Sequence, residues 1–248
     1  QMSGEWDTIY PPMAGMKIVN NLWGIVGAGF DHGAGTGTIF TEDIQGSYAF
    51  GWAWDFTSYK PNSVISFQSV DWGWSPNSGA WFNGEVPLNK IGDNKEYTID
   101  FDMKRTDRSG AWNTAFDIWL YPEMYPTGGS AGDKGGYEIM IWFDYEVQGP
   151  WGSNPQDVTI NGKRWKVYDN NGDAGWRVVS YLSQEGPNAF ESVRDFSITN
   201  FINDAQWRYS TDVDYNTPGL SKEHYINAIE FGNESCGGRG MLELNNYD

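Results

Sequence analysis

The stretch Tyr137-Glu138-Ile139-Met140-Ile141-Trp142-Phe143-Asp144-Tyr145 decides how this chain folds. In an extended segment successive side chains point to opposite sides. Tyr137, Ile139, Ile141 and Phe143 then form one wholly apolar face, which belongs in a core, while Glu138, Met140 and Trp142 share the other. A carboxylate between Met and Trp suits an open, aromatic-lined cleft. The plainer reading, an exposed Glu on an average strand, leaves its two neighbours unexplained.

The same logic extends outward. In NTAFDIWLY (113–121), Asn113, Ala115, Asp117 and Trp119 share one face, and Phe116, Ile118 and Leu120 the other. In YINAIEFGNES (225–235), Tyr225, Asn227, Ile229 and Phe231 fall on one side, with Ala228, Glu230, Gly232 and Glu234 opposite. Three strands thus each present a carboxylate on their less apolar face. Further short alternating segments lie at 17–24, 47–56, 63–70, 96–103, 157–160, 164–168 and 177–182, parted by Gly, Pro, Asn, Asp and Ser clusters. Many short strands without alternating helices predict an all-β sandwich or barrel. One segment differs: Ile198, Phe201, Ile202 and Ala205 recur at helical spacing, with Ser197 placed to cap the start. No repeat, linker or low-complexity tail divides the chain, so one domain over 1–248 is expected.

Composition narrows the function. The 248 residues carry 16 basic and 33 acidic side chains, a net charge of -17. That surface repels phosphate backbones and anionic membrane faces, so neither nucleic acid nor membrane is an expected partner. No run approaches the roughly 20 apolar residues of a membrane helix. His32, His224 and Cys236 are the only soft metal ligands, too few for the usual zinc or iron–sulfur sites, and no metal or cofactor is expected. A single cysteine allows no internal disulfide and leaves the redox compartment open. The chain begins at Gln1 without a signal segment, which we read as a processed, secreted protein. Nothing requires a dimer, and a monomer is expected.

Several motifs are decoys. IVGAGFDHGAGTGTIF suggests a dinucleotide fingerprint, but Gly27 and Gly29 would need glycine where His32 stands, and no helix pattern follows; a turn between strands is the better reading. Asp169, Asn171 and Asp173 mimic a calcium loop, yet Ala174 and Ser180 occupy the positions of its glycine and glutamate. Asn233-Glu234-Ser235 is the one open glycosylation triplet, since Pro218 follows Asn216-Thr217, and Asn233 is expected to be bare. Counting alone leaves a Cys–His pair open, but Cys236 reads as a small residue in a glycine-rich turn.

Aromatic residues are the informative fraction: 17% of the chain, with 14 Trp and 14 Tyr. Flat rings stack on the apolar faces of sugars, while Asn, Asp and Glu bond their hydroxyls. Two carboxylates flanking a glycosidic bond are the usual hydrolytic pair, and their shared field raises one of them so that it stays protonated as the acid. Spacing alone does not say which pair closes up, and a lectin-like sandwich carries the same aromatics without catalysis.

Four segments go further: NNLWG at 20–24, FDIW at 116–119, YEIMIWF at 137–143 and EFGNE at 230–234. In order and spacing they resemble glycoside hydrolase family 12, the compact endoglucanases and xyloglucanases. The resemblance implies a β-jelly-roll sandwich of two packed, curved antiparallel sheets with one helix, at about the place of the helical segment here, and an open substrate cleft. It implies a retaining endo-β-1,4-glucanase acting on β-1,4-linked glucan, with xyloglucan as the alternative substrate and a non-catalytic glycan-binding sandwich as the second alternative. Glu138 matches the nucleophile, Glu234 the general acid/base and Asp117 a carboxylate supporting the nucleophile; Glu230 matches a position that is not the acid. Retention implies carboxyl groups roughly 5–5.5 Å apart. Trp23 matches a sugar-stacking Trp on the non-reducing side, Asn20, Met140 and Trp142 match cleft residues near the cleaved bond, and Trp6 matches an outer subsite. The chain departs from the family in lacking the cysteines that often staple the first strand, and in having Asn233 and Ser235 where Thr and Pro commonly flank the acid.

Overall fold

The structure, a computed structural model, describes residues 1–12, 15–26, 35–44, 47–56, 63–73, 89–124, 136–172, 175–211 and 219–247. In chain order these form β1 (Thr8–Ile9), β2 (Met16–Asn21), α1 (Trp23–Val26), β3 (Gly35–Ile44), β4 (Ser47–Phe56), β5 (Ser66–Gly73) and β6 (Thr98–Tyr121). There follow β7 (Tyr137–Glu146), β8 (Ser153–Ile160), β9 (Lys163–Asp169), β10 (Arg177–Ser183), β11 (Ser192–Ser197), α2 (Thr199–Tyr209) and β12 (Tyr225–Asn245).

β6 and β12 are long enough to serve two sheets. Residues 225–235 of β12 pair with β5 and with 112–121 of β6, giving a front sheet in the order β1-β2-β5-β12-β6-β7-β10-β9-β8. Residues 238–245 of β12 pair with β4 and with 102–110 of β6, and β3 and β11 complete a back sheet. The crossing point is made of glycine. Gly110 (φ +97) and Gly238 (φ +92) adopt conformations that L side chains avoid, and a Cβ on Gly238 would stand 2.0 Å from the Ser109 carbonyl oxygen. Bulges beside them bend both strands over the core. The polar stretch through Asp107, Arg108 and Ser109 reads as a loop in sequence, yet it is the bend of one continuous strand.

Between the sheets lies the jelly-roll core. Phe101 of the back half packs on Phe143 (5.8 Å) and Phe231 (5.3 Å), and Phe116 stands 4.7 Å from Phe231. Tyr137, Ile139, Ile141 and Phe143 face this core, as do Phe116, Ile118 and Leu120, in agreement with their alternation. Burying each such side chain contributes roughly 1.5–3 kcal/mol. α2 lays Phe201, Ile202 and Ala205 on the same core, with Phe201 edge-on to Trp165 and Tyr181, and the Ser197 hydroxyl accepts the Asn200 amide at 3.2 Å at its start.

Four expectations are corrected. β10 runs parallel to β7, because the β8–β9 hairpin intervenes and returns the chain in the same direction. The segment 17–24 is a strand only to Asn21. Gly24 approaches Ile65 so closely that a Cβ would meet its Cα at 2.5 Å, and Trp23 instead opens the single helical turn α1. At Asn227 a bulge reverses the alternation of β12, so Ile226 joins the core and Tyr225 does not share the face of Phe231. Gly35 and Gly37 belong to β3 rather than to a turn, while Gly27, Gly29, His32 and Gly33 lie outside the described residues.

Candidate active site

The front sheet turns one face away from the core, and register decides what stands on it. Lys17, Asp71, Glu230, Asp117, Met140 and Ser180 are partners in succession across β2, β5, β12, β6, β7 and β10. Partners in a ladder point to the same side, so these residues form one row along the cleft floor. Glu138 pairs with Trp119 and lies one step along the same face, diagonal to Asp117. Asp71, Glu230, Asp117 and Glu138 are all buried, and Lys17 is the cation beside them, 3.8 Å from Asp71.

Glu138 and Glu234 line one open cavity of about 620 Å³, together with Met140, Trp142, Trp151 and Trp176. Each carboxyl is oriented by N–H donors. The Trp176 indole donates to Glu138 Oε2 at 2.7 Å. Gln148 Nε2 donates to Glu234 Oε2 at 3.0 Å, and Asn113 Nδ2 donates to the same oxygen. The Glu234 amide returns a bond to Asn113 Oδ1 at 3.3 Å, so Asn113 fixes both the backbone and the side chain of that residue. Asp117 Oδ1 is buried without a hydrogen-bond partner among the described residues.

This burial has an electrostatic consequence. Removal from water pushes both Glu138 and Glu234 well above the ordinary carboxylate range, with Trp176 pulling Glu138 back, the charge of Glu234 adding to its rise, and Asn113 and Gln148 pulling Glu234 back. Two carboxyls in one field release their protons as a pair, so across the neutral range the pair holds a proton. Asp117 is raised well above the carboxylate range by burial and then by Glu138, Glu234, Glu230 and Asp71. Because the Trp176 N–H favours the ionised form of Glu138, Trp176→Phe is expected to move the acidic limb of kcat/KM upward by about one pH unit. A full pH–rate profile checks this, and an unmoved limb removes Trp176 from any role in tuning Glu138.

The other sequence-selected residues divide into three groups. Met140 and Trp142 line the cavity, with the Trp142 indole directed at Met140 Sδ (3.4 Å). Trp23 (38% exposed) and Trp6 (41%) present indole surface at the β2 edge. Asn20 is fully buried and its amide is committed to the protein: it donates to the Gly4 and Gly37 carbonyls and accepts from Gln68. Its post is to tie β2 to the N-terminal segment and β3. Trp176 and Gln148 were not singled out by sequence, because they come from turns between strands, where period-2 alternation gives no direction. Asn113 carried a signal, its place on the face of Asp117.

The decoys resolve on burial. Asn233 is buried, with its amide bonded to the Trp52 indole (3.1 Å) and the Asn113 carbonyl (2.6 Å), so a glycan has no room. Cys236 is a buried thiol, and His224 is engaged by Ser221 and the edge of Tyr137. Asp169 pairs with Arg177 rather than with a cation site, and Asp173 and Ala174 lie outside the described residues.

A curved β-sandwich that gathers buried carboxylates and indoles on one open face has the architecture of a glycosidase. The chain belongs to glycosyl hydrolase family 12, whose family model matches residues 15–248. Endoglucanase S of Pectobacterium parmentieri is 28% identical over 255 residues, covering 99% of this chain and 85% of that protein. Among solved structures, the family 12 xyloglucanase from Bacillus licheniformis superposes with a TM-score of 0.77 at 27% identity, over 100% of this chain and 97% of that one. Endoglucanase cel12A from Rhodothermus marinus shares the fold, with a TM-score of 0.74 at 22% identity, over 100% of this chain and 96% of that one.

Proposed function

We propose that this chain is a retaining endo-β-1,4-glucanase that cleaves internal bonds of plain or mixed-linkage β-glucan outside the cell. Glu138 is the nucleophile, Glu234 the general acid/base and Asp117 the carboxyl that supports Glu138. The observation that carries the reading is the pair of carboxyls, Glu138 buried and Glu234 half-buried, each held by N–H donors and facing one aromatic-lined cavity. In the first step a Glu138 oxygen bonds to the anomeric carbon as the glycosidic C–O bond breaks, and Glu234 gives its proton to the leaving oxygen. In the second, Glu234 takes a proton from water, whose oxygen attacks the same carbon and releases Glu138. Both bonds to Glu234 fall on Oε2, which leaves Oε1 to carry the proton.

The name of Endoglucanase S supports the β-glucan reading. The likeness to the Bacillus licheniformis enzyme supports xyloglucan as a second reading, decided by whether the cleft admits xylosyl branches. A sandwich that merely binds glycans has no use for buried carboxyls with raised pKa values, which cost stability. Reducing-end release from barley β-glucan, carboxymethylcellulose and tamarind xyloglucan separates these readings. Fastest release from barley β-glucan is expected. Fastest release from xyloglucan selects the second reading, and no release by folded protein selects the binding role.

A further inference from the structure

Trp151 is half exposed (51%), on the turn 148–152 that follows β7, and it lines the same cavity as Glu138 and Glu234. A single exposed indole needs no explanation by itself. This one is held in place at both ends of its turn. Gly152 has φ +138, and a Cβ there would lie 2.6 Å from the Asp169 backbone at the end of β9. At the other end Gln148 is bonded to Glu234. The Trp151 ring stands at 89° to Trp176, with centroids 6.3 Å apart, and Trp176 in turn lies 6.4 Å from Trp119 and bonds Glu138. The indole is thus clamped by its neighbours while half of its surface is bare.

Strand order locates it. Trp23 follows β2, and the turn that carries Trp151 abuts the end of β9 through Gly152, while Glu234 on β12 and Glu138 on β7 come between them in the order β2-β5-β12-β6-β7-β10-β9. Two exposed indoles therefore flank the carboxylate pair across the front sheet. We infer that Trp151 is a second sugar-stacking platform, on the opposite side of the cleaved bond from Trp23, so that a productive glucan chain lies across both. This rests on the glucanase reading and adds to it a specificity-determining residue. A flat ring meeting the apolar face of a pyranose gives the affinity, and the rigid turn fixes the register in which the chain lies over Glu138.

The test uses cellohexaose labelled at its reducing end, with the scission sites read by mass. Trp151→Ala is expected to lower kcat/KM about tenfold and to shift scission toward one end of the oligosaccharide. Trp23→Ala is expected to shift it toward the other end, because each variant leaves only the opposite arm to grip the chain. Trp151→Phe keeps a flat ring and should retain most of the wild-type pattern. An unchanged rate and pattern in Trp151→Ala overturns the proposal, as does a shift in the same direction as Trp23→Ala. A moved pH limb with an unchanged pattern overturns it too, since Trp151 would then act only through Trp176. Wild-type protein inert on cellohexaose sinks the glucanase reading itself, a result distinct from all of these.

Discussion

Glu138→Gln is expected to lower reducing-end release by about 10⁴-fold or more, because it removes the atom that bonds to the anomeric carbon and no neighbouring group replaces it. The same variant is expected to be more stable than wild type above neutral pH. Burial raises the Glu138 carboxyl well above its ordinary value, so the folded state holds its proton more tightly than the unfolded chain does. A raised carboxyl destabilises the fold as pH climbs from the unfolded value through the folded one, and the penalty is absent at acid pH. The gain from Glu138→Gln should therefore be near zero at pH 4 and grow steadily with pH through the neutral range toward pH 8. Thermal melts across that range check the sign. Loss of activity with a slow 2-fluoro-cellobioside that labels wild type but not the variant identifies the nucleophile, whereas full activity in folded Glu138→Gln overturns the assignment.

Glu234→Gln carries the second large effect, on the order of 10²–10⁴ in kcat/KM for glucan, and its size depends on the leaving group. A dinitrophenyl cellobioside departs without protonation, so its first step needs no acid and should be nearly unaffected. The second step still lacks a base. A burst of dinitrophenolate followed by slow turnover is expected, and azide, which attacks without giving up a proton, should restore turnover as a β-glycosyl azide. Equal losses on both substrates with no burst assign the acid elsewhere. Glu230, a buried glutamate of β12, is placed beside Asp71 and Asp117 in the floor row.

Period-2 alternation alone assigned Phe116, Ile118, Leu120 and the four apolar residues of 137–143 to the core, because a buried strand face tolerates no other pattern. It also put Asp117 on the outward face of its strand, and Glu138, Met140 and Trp142 on the outward face of theirs. It failed at Asn227, where one extra residue in the ladder reverses every direction before it, and at Trp23, where Gly24 lets the chain turn against Ile65. It was silent on Trp176, Gln148 and Trp151, which reach the cleft from turns whose directions no periodicity encodes.

The sequence by itself determined the β class, the apolar faces, the helical segment and, through four short motifs, the residues around which a glycosidase site is built. Only the tertiary structure decided that 112–121 and 102–110 belong to one bent strand, that Asn113 and Gln148 both hold Glu234, and that Trp176 holds Glu138. Local pattern records which side of a strand a residue occupies. Which strands become neighbours, and therefore which carboxyls lose their water together and rise in pKa, depends on pairings between segments more than a hundred residues apart, such as Asn113 with Glu234.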